Sequence, residues 1–374
     1  MSKTENEMIS QEEVQAELPF GIPLDLADLN DPGYIRTITQ NELLDKVIIE
    51  EPPIIDGFLM SGVSLLAGAP KVGKSFLVLQ IAYHVSTGKP MWGMKVHQAD
   101  VLYLALEDTE GRLQRRSARM FGAIGSDHLH FALAAKTISN GLLDQLLYFL
   151  RKYPNTKLFI IDTMQFSRED TQSGNLYVAD TAFMKTMQEF RKLHNVNILL
   201  VHHTRKGLDG TDTFDKVSGS NGNTGGADTT IMMTKEKRTD TRACLQCTGR
   251  DIQDQIIWVT RNEENLTWEF ASRENSLPDD PPDPLLEAVR IFLSGSGNHW
   301  EGSSTELVAV LKVELAPSAL SRKLNILAST LRNDYYIQYK NVHTRSGSLL
   351  TLHMEQEESD DCDGVTAEMG ESPC

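Results

Sequence analysis

The eight residues "GAPKVGKS" (68–75) constrain the fold of this 374-residue chain more than any other stretch. They match the pattern G-x-x-x-x-G-K-[ST], in which a glycine-rich turn leads into the start of a helix. Backbone N–H groups and the helix dipole point at an anion there, so such a turn holds polyphosphate. The apolar run "VSLLA" (63–67) precedes the turn, and an apolar-periodic run ending at Gly88 follows it. This context favours a nucleotide-binding loop over a simple strand-to-helix turn.

The residues of this loop have distinct expected roles. Gly68 and Gly73 permit the backbone geometry, Lys74 reaches the β- and γ-phosphates, and the Ser75 hydroxyl binds Mg²⁺. The sequence therefore predicts ATP and Mg²⁺ as cofactors. The predicted cofactor-binding residues are Gly68, Ala69, Pro70, Lys71, Val72, Gly73, Lys74, Ser75 and Phe76.

Apolar runs alternate with amphipathic helices from Val63 onward, which predicts an α/β fold. The expected strands are 63–67, 101–106, 129–134, 157–161 and 197–201, and the expected helices lie near 74–86, 109–121, 141–152 and 177–194. Short apolar strands joined by helical crossovers indicate a parallel sheet covered on both faces. After Gly226 the pattern changes to shorter runs that predict antiparallel β-structure.

The proline-rich stretch "ENSLPDDPPDP" (274–284) marks a linker to a second domain. Beyond it, three helical patterns and a β-hairpin look like a winged helix. We therefore expect a disordered or extended segment (1–36), an α/β domain (37–273), a linker (274–283), a winged-helix-like domain (284–353) and an acidic disordered tail (354–374).

The net charge of −16 is concentrated at the two ends of the chain. Residues 354–374 hold eight acidic side chains and no Lys or Arg, so the central part is close to neutral and local patches decide what it binds. Four cysteines favour a reducing compartment, and the polar start "MSKTENEM" is unlike a signal peptide. Because no apolar run approaches the roughly 18 residues of a membrane span, we expect a cytoplasmic protein without a membrane partner.

Three further strand ends carry polar residues suited to hydrolysis. "KLFIID" ends at Asp162, the expected Mg²⁺ ligand, although an aspartate there also caps ordinary turns. "VLYLAL" ends at Glu107 and Asp108. Glu107 is the expected base that activates water, with Asp108 as helix cap, or the two roles are exchanged. "NILLV" leads into His202 and His203, of which only one can face the phosphates.

The set "GAPKVGKS", "LYLALED", "LFIIDT" and "LLVHHTRKG", in this order, resembles the RecA-type ATPase core. More narrowly, it is similar to the hexameric plasmid RepA-like and DnaB-like helicases and related mobile-element ATPases. The resemblance covers about residues 37–272. It implies a RecA-type P-loop fold, ATP hydrolysis with Glu107 as the catalytic glutamate, and His203 as the polar residue that senses the γ-phosphate.

The same resemblance implies a homo-oligomer, a hexamer in this group, with each ATP site between two subunits. Arg250 in "TGRDI" resembles the cation that a neighbouring subunit donates, with Lys235, Lys237 and Arg238 as competitors. The Gly/Ser/Asn-rich stretch 216–230 resembles a loop that faces the central channel. Basic residues suited to single-stranded DNA lie in or near it, although a merely solvated loop fits the composition equally well: Arg205, Lys206 and Lys216.

The second domain carries a local excess of positive charge. Its basic residues between positions 317 and 353 stand against one acid, Asp334, and they suit duplex DNA, although related domains also bind proteins. They are Arg322, Lys323, Arg332, Lys340 and Arg345.

Two other patterns have no assigned role in catalysis. Cys244 and Cys247 form a C-x-x-C pair without a second pair or a histidine cluster, so we interpret them as core residues. An arginine stripe on the helix 109–121 is typical of a solvated or subunit-contact face and stays unassigned: Arg112, Arg115, Arg116 and Arg119.

These patterns together predict a Mg-ATP-dependent DNA motor. The favoured form is a hexameric replicative-type helicase of a phage, plasmid or integrated element that acts on single-stranded DNA. Two alternatives remain at this point. One is a DNA-loading or recombination ATPase without unwinding activity, and the other is an ATP-gated DNA-binding regulator.

Overall fold

The computed structural model describes residues 37–167, 176–204, 226–275, 281–344 and 347–355. These residues form two units, one made of residues 51–275 and the other of residues 37–50 and 281–355. Residues 1–36, expected to be disordered or extended, and residues 356–374 of the expected disordered tail lie outside the described ranges. Within those ranges, every helix is too short or too polar to span a lipid bilayer.

Strands and helices alternate along much of the first unit and less regularly in the second. The helices are α1 (Gln40–Leu44), α2 (Lys74–Thr87), α3 (Glu110–Phe121), α4 (Leu142–Lys152), α5 (Met164–Ser167), α6 (Leu176–His194), α7 (Pro284–Gly295), α8 (Ser304–Leu311), α9 (Pro317–Ile326) and α10 (Ala328–Tyr335). The strands are β1 (Val63–Gly68), β2 (Asp100–Ala105), β3 (Leu129–Ala132), β4 (Thr156–Asp162), β5 (Asn197–His203), β6 (Thr229–Thr234), β7 (Arg242–Gly249), β8 (Gln255–Arg261), β9 (Trp268–Asn275), β10 (His299–Ser303), β11 (Ile337–Thr344) and β12 (Gly347–Met354).

The first unit contains a nine-stranded sheet in the order β3-β2-β4-β5-β1-β6-β7-β8-β9. The six strands β3, β2, β4, β5, β1 and β6 run parallel to one another. The sheet then continues through β7, β8 and β9, each of which pairs antiparallel with the strand before it. The expectation of antiparallel structure after Gly226 holds for the pairing of β6 with β7 and for β8 and β9, but β6 also pairs parallel with β1. Pairing with β6 places β1 inside the sheet, where all six of its residues are buried.

Apolar side chains cover both faces of this sheet. Helix α2 contributes Leu77, Val78 and Ile81 to one core, together with residues of β1, β2 and β7 to β9. Helices α4 and α6 contribute to the core on the other face, where Leu146 and Phe183 pack. Because both faces are covered there, the central strands β1, β2, β4 and β5 are nearly continuous buried runs without polar alternation. The predicted α/β architecture with a mainly parallel sheet is confirmed.

The second unit contains a three-stranded antiparallel sheet in the order β10-β12-β11, with helices packed around one apolar core. Two features differ from the sequence-based expectation. The third helical pattern, which begins at Pro317 and is predicted as one helix, forms two helices, α9 and α10, which meet at Leu327, where ψ is 5° instead of helical. Strand β10 is an addition to the prediction, and it extends the expected hairpin to three strands.

Helix α1 belongs to the second unit, although the sequence-based boundaries place it in the α/β domain. Thr39 caps it in a reciprocal capping box with Glu42. After it, Asp45 pairs with Arg322 at 2.8 Å, and the amide of Asn325 donates to the Leu44 carbonyl. Val47 packs against the apolar core of the second unit. A boundary near residue 50 therefore fits the contacts better than one at residue 37.

Candidate functional site

The candidate site lies at the carboxyl edge of the parallel strands. Residues 69–73 follow β1 directly and lead into α2, with Gly73 at a φ of 112°. Gly68 at the end of β1 is in register with His203 at the end of β5, and Ala105 of β2 is in register with Asp162 of β4. The fold therefore brings four separate sequence motifs to one edge, as expected for parallel strands.

Lys74 lies at the centre of this edge. Its ammonium nitrogen donates to the carbonyl oxygens of Gly68 at 2.7 Å and Ala69 at 3.1 Å. It also contacts Nδ1 of His203 at 3.0 Å. Burial of the side chain lowers the pKa of Lys74 to about 8, while the carboxylates of Asp162 and Glu107 act in the opposite direction.

His203, and not His202, faces the loop. Because the ammonium of Lys74 can only donate, Nδ1 of His203 must accept, which places the ring proton on Nε2. That Nε2 lies 3.7 Å from Oε1 of Glu107. Burial, and then the charge of Lys74, lower the pKa of His203, so the ring is neutral near pH 7. His203 thus bridges Lys74 and Glu107.

Glu107 and Asp108 have different surroundings. The side chain of Glu107 is 46% exposed, and its Oε1 accepts a hydrogen bond from the Thr163 hydroxyl at 3.3 Å. The side chain of Asp108 is only 11% exposed and pairs with Arg112 at 3.0 Å and Arg116 at 2.8 Å. Of the two carboxylates, Glu107 is therefore the one beside the loop.

Helix α3 begins differently from the prediction. Thr109 is its N-cap, since the Thr109 hydroxyl accepts from the backbone N–H of Arg112, so the expectation that Asp108 caps this helix is wrong. The arginine stripe has internal partners as well. Arg112 donates to the carbonyl of Glu107, and Arg119 donates to the carbonyls of Glu263 and Glu264. The stripe therefore holds the end of β2 and the turn between β8 and β9.

Asp162 and Ser75 approach each other, as expected for two ligands of one metal ion. The Ser75 hydroxyl hydrogen-bonds to the Asp162 carboxylate. Oδ2 of Asp162 also accepts from the Tyr103 hydroxyl at 2.8 Å. Burial raises the pKa of Asp162, and the hydrogen bonds from Tyr103 and Ser75 oppose that rise. A hydroxyl and a carboxylate beside a phosphate-binding loop fit Mg²⁺, which prefers oxygen ligands.

Tyr103 is a site residue that the sequence motifs do not include. It lies in the middle of the apolar strand β2 and is 1% exposed. A phenol in the middle of an apolar strand needs a hydrogen-bond partner, and this need was the feature of the sequence that could have pointed to Tyr103 as a site residue. Burial, followed by Asp162, raises the pKa of Tyr103 well above its usual value, so the phenol stays a donor to that carboxylate.

A second group that the sequence did not reveal lies against the start of α2. Trp268 of β9 donates its indole N–H to the Gly73 carbonyl at 3.3 Å. The guanidinium carbon of Arg261 lies 3.6 Å from the centre of the Phe76 ring and 5.4 Å from that of Trp268. The strands β8 and β9 therefore reach the phosphate-binding loop of their own chain.

Arg250 lies away from the loop. It follows β7 and pairs at 3.3 Å with Asp228, whose other carboxylate oxygen accepts from the backbone N–H of Val63. Val63 begins β1, so Arg250 is at the opposite edge of the sheet from the loop of its own chain. The competing cations lie between β6 and β7, at the carboxyl edge of β6: Lys235, Lys237 and Arg238.

The predicted DNA-binding residues fall into three groups. Arg205, Lys206, Lys216 and Arg345 lie outside the described residues. Arg322 and Lys323 of α9 are paired with Asp45 and Asp283, each at 2.8 Å. Arg332 and Lys340 are exposed. The expected cationic surface of α9 is thus partly neutralised within the second unit.

The cysteine pair lies in β7, away from the loop. Cys247 is 2% exposed and contributes to the core beneath α2, and Cys244 is also buried. In the described part of the chain, no group of three or more His, Cys, Asp or Glu side chains is arranged to hold a metal ion. These positions agree with the interpretation of the pair as core residues.

Comparison with known proteins agrees with the motifs. Residues 36–209 match the family model described as AAA domain, a range that contains the loop, Glu107, Asp162 and His203. DNA repair protein RadA from two Mycobacterium tuberculosis strains, CDC 1551 / Oshkosh and ATCC 25618 / H37Rv, is 29% identical over 153 residues. The match covers 40% of this chain and 28% of RadA, so the chain spans little more than a quarter of the length of these relatives.

Several solved structures resemble the chain more loosely. One solved ATPase domain has a TM-score of 0.47 at 13% identity, and the match covers 57% of this chain and 85% of that domain. A DnaB-like replicative helicase, solved for its interactions with primase, has a TM-score of 0.47 at 12% identity. The match covers 56% of this chain and 58% of the helicase. The KaiC-like protein PH0186 from Pyrococcus horikoshii OT3 has a TM-score of 0.41 at 13% identity. The match covers 61% of this chain and 99% of that protein. Likenesses this weak carry no information about activity.

Proposed function

On the premise that residues 36–209 form a RecA-like P-loop ATPase domain, we propose that the protein hydrolyses Mg-ATP and uses the energy to move along DNA. The observation that supports hydrolysis best is the contact series from Lys74 through His203 to Glu107 beside the loop. A structure that only holds nucleotide needs no exposed carboxylate at that position.

Each side chain of the site has one proposed role. Lys74 binds the β- and γ-phosphates, and Ser75 and Asp162 hold Mg²⁺, which neutralises charge on the phosphate oxygens when it is bound. Glu107 orients and deprotonates the attacking water. His203, placed between Glu107 and Lys74, senses whether the γ-phosphate is present. Tyr103 positions the Asp162 carboxylate.

The Glu107→Gln variant tests hydrolysis directly. Loss of the general base should lower kcat by at least about a hundredfold while ATP still binds. Asp108→Asn is the matched control, because its carboxylate is held by Arg112 and Arg116, and it should keep most of its activity. Normal turnover by Glu107→Gln, or equal losses in the two variants, would overturn the assignment.

We further propose that the active form is a ring, a hexamer as in the helicases that the motifs resemble, and that a cation from a neighbouring subunit completes the site. The exposed Lys237 and Arg238 in the turn between β6 and β7 are favoured over Arg250, because Arg250 is paired with Asp228. Such a cation would neutralise charge in the transition state only after assembly.

The proposed track is single-stranded DNA, with replication of a phage, plasmid or integrated element as the setting. The second unit is proposed to be a winged helix that contacts duplex DNA or a protein partner. Its helices packed on a three-stranded antiparallel sheet support this, as do the exposed Arg332 and Lys340. The neutralised Arg322 and Lys323 weaken the case for duplex DNA.

Three assays separate the helicase from its rivals. A helicase shows ATPase activity that single-stranded DNA stimulates, and it unwinds a tailed duplex in a way that Lys74→Ala abolishes. A DNA-loading ATPase shows the stimulation without unwinding. A regulator binds duplex DNA in an ATP-dependent way without sustained turnover, and that result would remove the motor proposal.

A further inference from the structure

Arg261, the last residue of β8, lies against the phosphate-binding loop. Its guanidinium is stacked on the Phe76 ring at 3.6 Å. Its Nη1 atom lies 3.3 Å from the position that a Cβ atom on Gly73 would occupy. Gly73 precedes Lys74, and Phe76 follows Ser75, so Arg261 contacts both sides of the motif that holds phosphate.

The charge of Arg261 is not balanced by the residues around it. Arg116 also lies over the Phe76 ring, at 4.9 Å, but it is paired with Asp108. Arg119 is held by two backbone carbonyls. Among the residues that the structure describes, the half-buried guanidinium of Arg261 has no carboxylate partner. Burial, and then the charges of Arg116 and Arg119, lower the pKa of Arg261, which reflects the same excess of positive charge.

Two clusters of side chains border the loop, and the ion pair of Arg116 with Asp108, the neighbour of Glu107, joins them. Lys74 interacts electrostatically with Asp162 and Glu107, and His203 belongs to the same cluster. Arg261 interacts instead with Arg116 and Arg119. A polyphosphate with its terminal group beside Glu107 has its other end directed away from that cluster. The second cluster, on the Phe76 side of the loop, is where that other end would lie.

We propose that Arg261 binds the α-phosphate of the nucleotide held by the loop of the same chain. This inference rests on the proposed function, because it takes the terminal phosphate to lie beside Glu107. Stacking on Phe76 holds the planar guanidinium in one orientation, which reduces the entropy lost when it pairs with an anion. Arg261 is a nucleotide-positioning residue and takes no part in the attack on the terminal phosphate.

The test compares Arg261→Gln with Arg242→Gln. Arg242 is a matched control because its guanidinium also covers an indole ring, that of Trp258, at 4.2 Å. It points to the other face of the sheet from Arg261, since neighbouring strand positions alternate. Affinities are measured for a fluorescent ADP and, by competition, for unlabelled ADP, ATP and inorganic tripolyphosphate.

Arg261→Gln should weaken ADP, ATP and tripolyphosphate by a common factor of about tenfold, the value of one charge-assisted hydrogen bond. Arg242→Gln should leave all three affinities unchanged. Arg261→Lys, which keeps the charge but loses the planar group, should fall between wild type and Arg261→Gln. If Arg261→Gln does not fold, the Arg261→Lys loss, compared with the wild type, decides the question in the same way.

Two outcomes would overturn the inference. Unchanged affinities in the Arg261 variants would show that the arginine does not touch the nucleotide. Weaker ADP binding with unchanged tripolyphosphate binding would show that it contacts the nucleoside and not a phosphate. The Lys74→Ala variant distinguishes failure of this inference from failure of the proposed function. If Lys74→Ala binds nucleotide like the wild type, the proposed function fails. If Lys74→Ala loses nucleotide binding while the Arg261 variants bind normally, only this inference fails.

Discussion

At the scale of single residues, the charge state of Lys74 links nucleotide binding to pH. Burial lowers the pKa of this side chain to about 8. Below that pH the ammonium is charged and meets phosphate directly. Above it the lysine is neutral before binding, and phosphate, which favours the charged form, must draw a proton from solvent. Affinity for ADP should therefore fall as the pH rises above 8, by at most about tenfold per pH unit.

Titration of the ADP dissociation constant from about pH 7.5 to about pH 9.5, on both sides of that pKa, measures this effect. Lys74→Arg is the control, since a guanidinium stays charged across the range and its curve should be flat. Equal affinity of the wild-type protein at the two ends of the range would contradict the assignment of this pKa to the binding lysine.

The residues that sequence could identify share one property, which is their position at the ends of recognisable elements. Lys74 begins a helix, and Asp162 and His203 end strands, so their meeting follows from parallel pairing. Tyr103 and Trp268 could not be identified in this way. Tyr103 reaches Asp162 across two neighbouring strands, and Trp268 reaches Gly73 across 195 positions. Neither contact follows from local pattern, because it depends on which strands become neighbours.

At the scale of elements, the turn between β1 and α2 depends on packing from β9. A Cβ atom on Gly73 would lie 2.5 Å from Cζ2 of Trp268, and φ there is 112°. Gly93 also has a positive φ, 80°, but a Cβ atom there would meet nothing within 4 Å. Both glycine-to-alanine variants incur the strain of a left-handed backbone, about 1–2 kcal/mol, and only Gly73→Ala must also displace the indole.

Gly73→Ala should therefore lower the free energy of unfolding by about 1–3 kcal/mol more than Gly93→Ala does. It should also weaken nucleotide binding, which Gly93→Ala should leave intact. Denaturant titration and ADP affinity give the two readouts. Equal destabilisation of the two variants would mean that Trp268 moves aside without cost.

The elements that sequence predicted well are those with long apolar or periodic runs. The strands β1, β4 and β5 and the helices α2 and α6 are of this kind. Strand β10 is not, since its sequence "HWEGS" leaves His299 and Glu301 exposed and shows no apolar alternation. The break at Leu327 was also hidden, because no Gly or Pro marks it. In both places tertiary pairing decided the structure, and local propensity did not.

At the scale of the whole molecule, the proposed ring makes each ATP site the product of two chains. A Lys74→Ala chain then has a defective loop but an intact turn between β6 and β7. A Lys237→Ala, Arg238→Ala chain has the opposite defect. Each should be inactive alone, and a mixture should recover part of the ATPase activity, because some interfaces join an intact loop to an intact turn.

Arg250→Ala in the same mixture serves as the control, since Arg250 is paired with Asp228 within its own chain. Mass measurement with ATP checks that the mixed chains assemble. Arg250→Ala should be active by itself, whereas its inactivity alone followed by recovery in the mixture with Lys74→Ala would return the role to Arg250. Full activity of each variant by itself would exclude a cation from the turn.

Among the described residues, the attachment of α1 to the second unit makes the first unit an insertion within the second. The chain leaves the second unit near residue 50 and returns to it near residue 281, so two covalent connections join the units. Cleavage of one connection alone would not release either half. A fragment that starts at residue 281 would lack Val47 and the Leu44 carbonyl that accepts from Asn325, and it would present bare apolar surface to water. Any attempt to divide this protein into autonomous parts must therefore keep residues 37–50 with the far end of the chain.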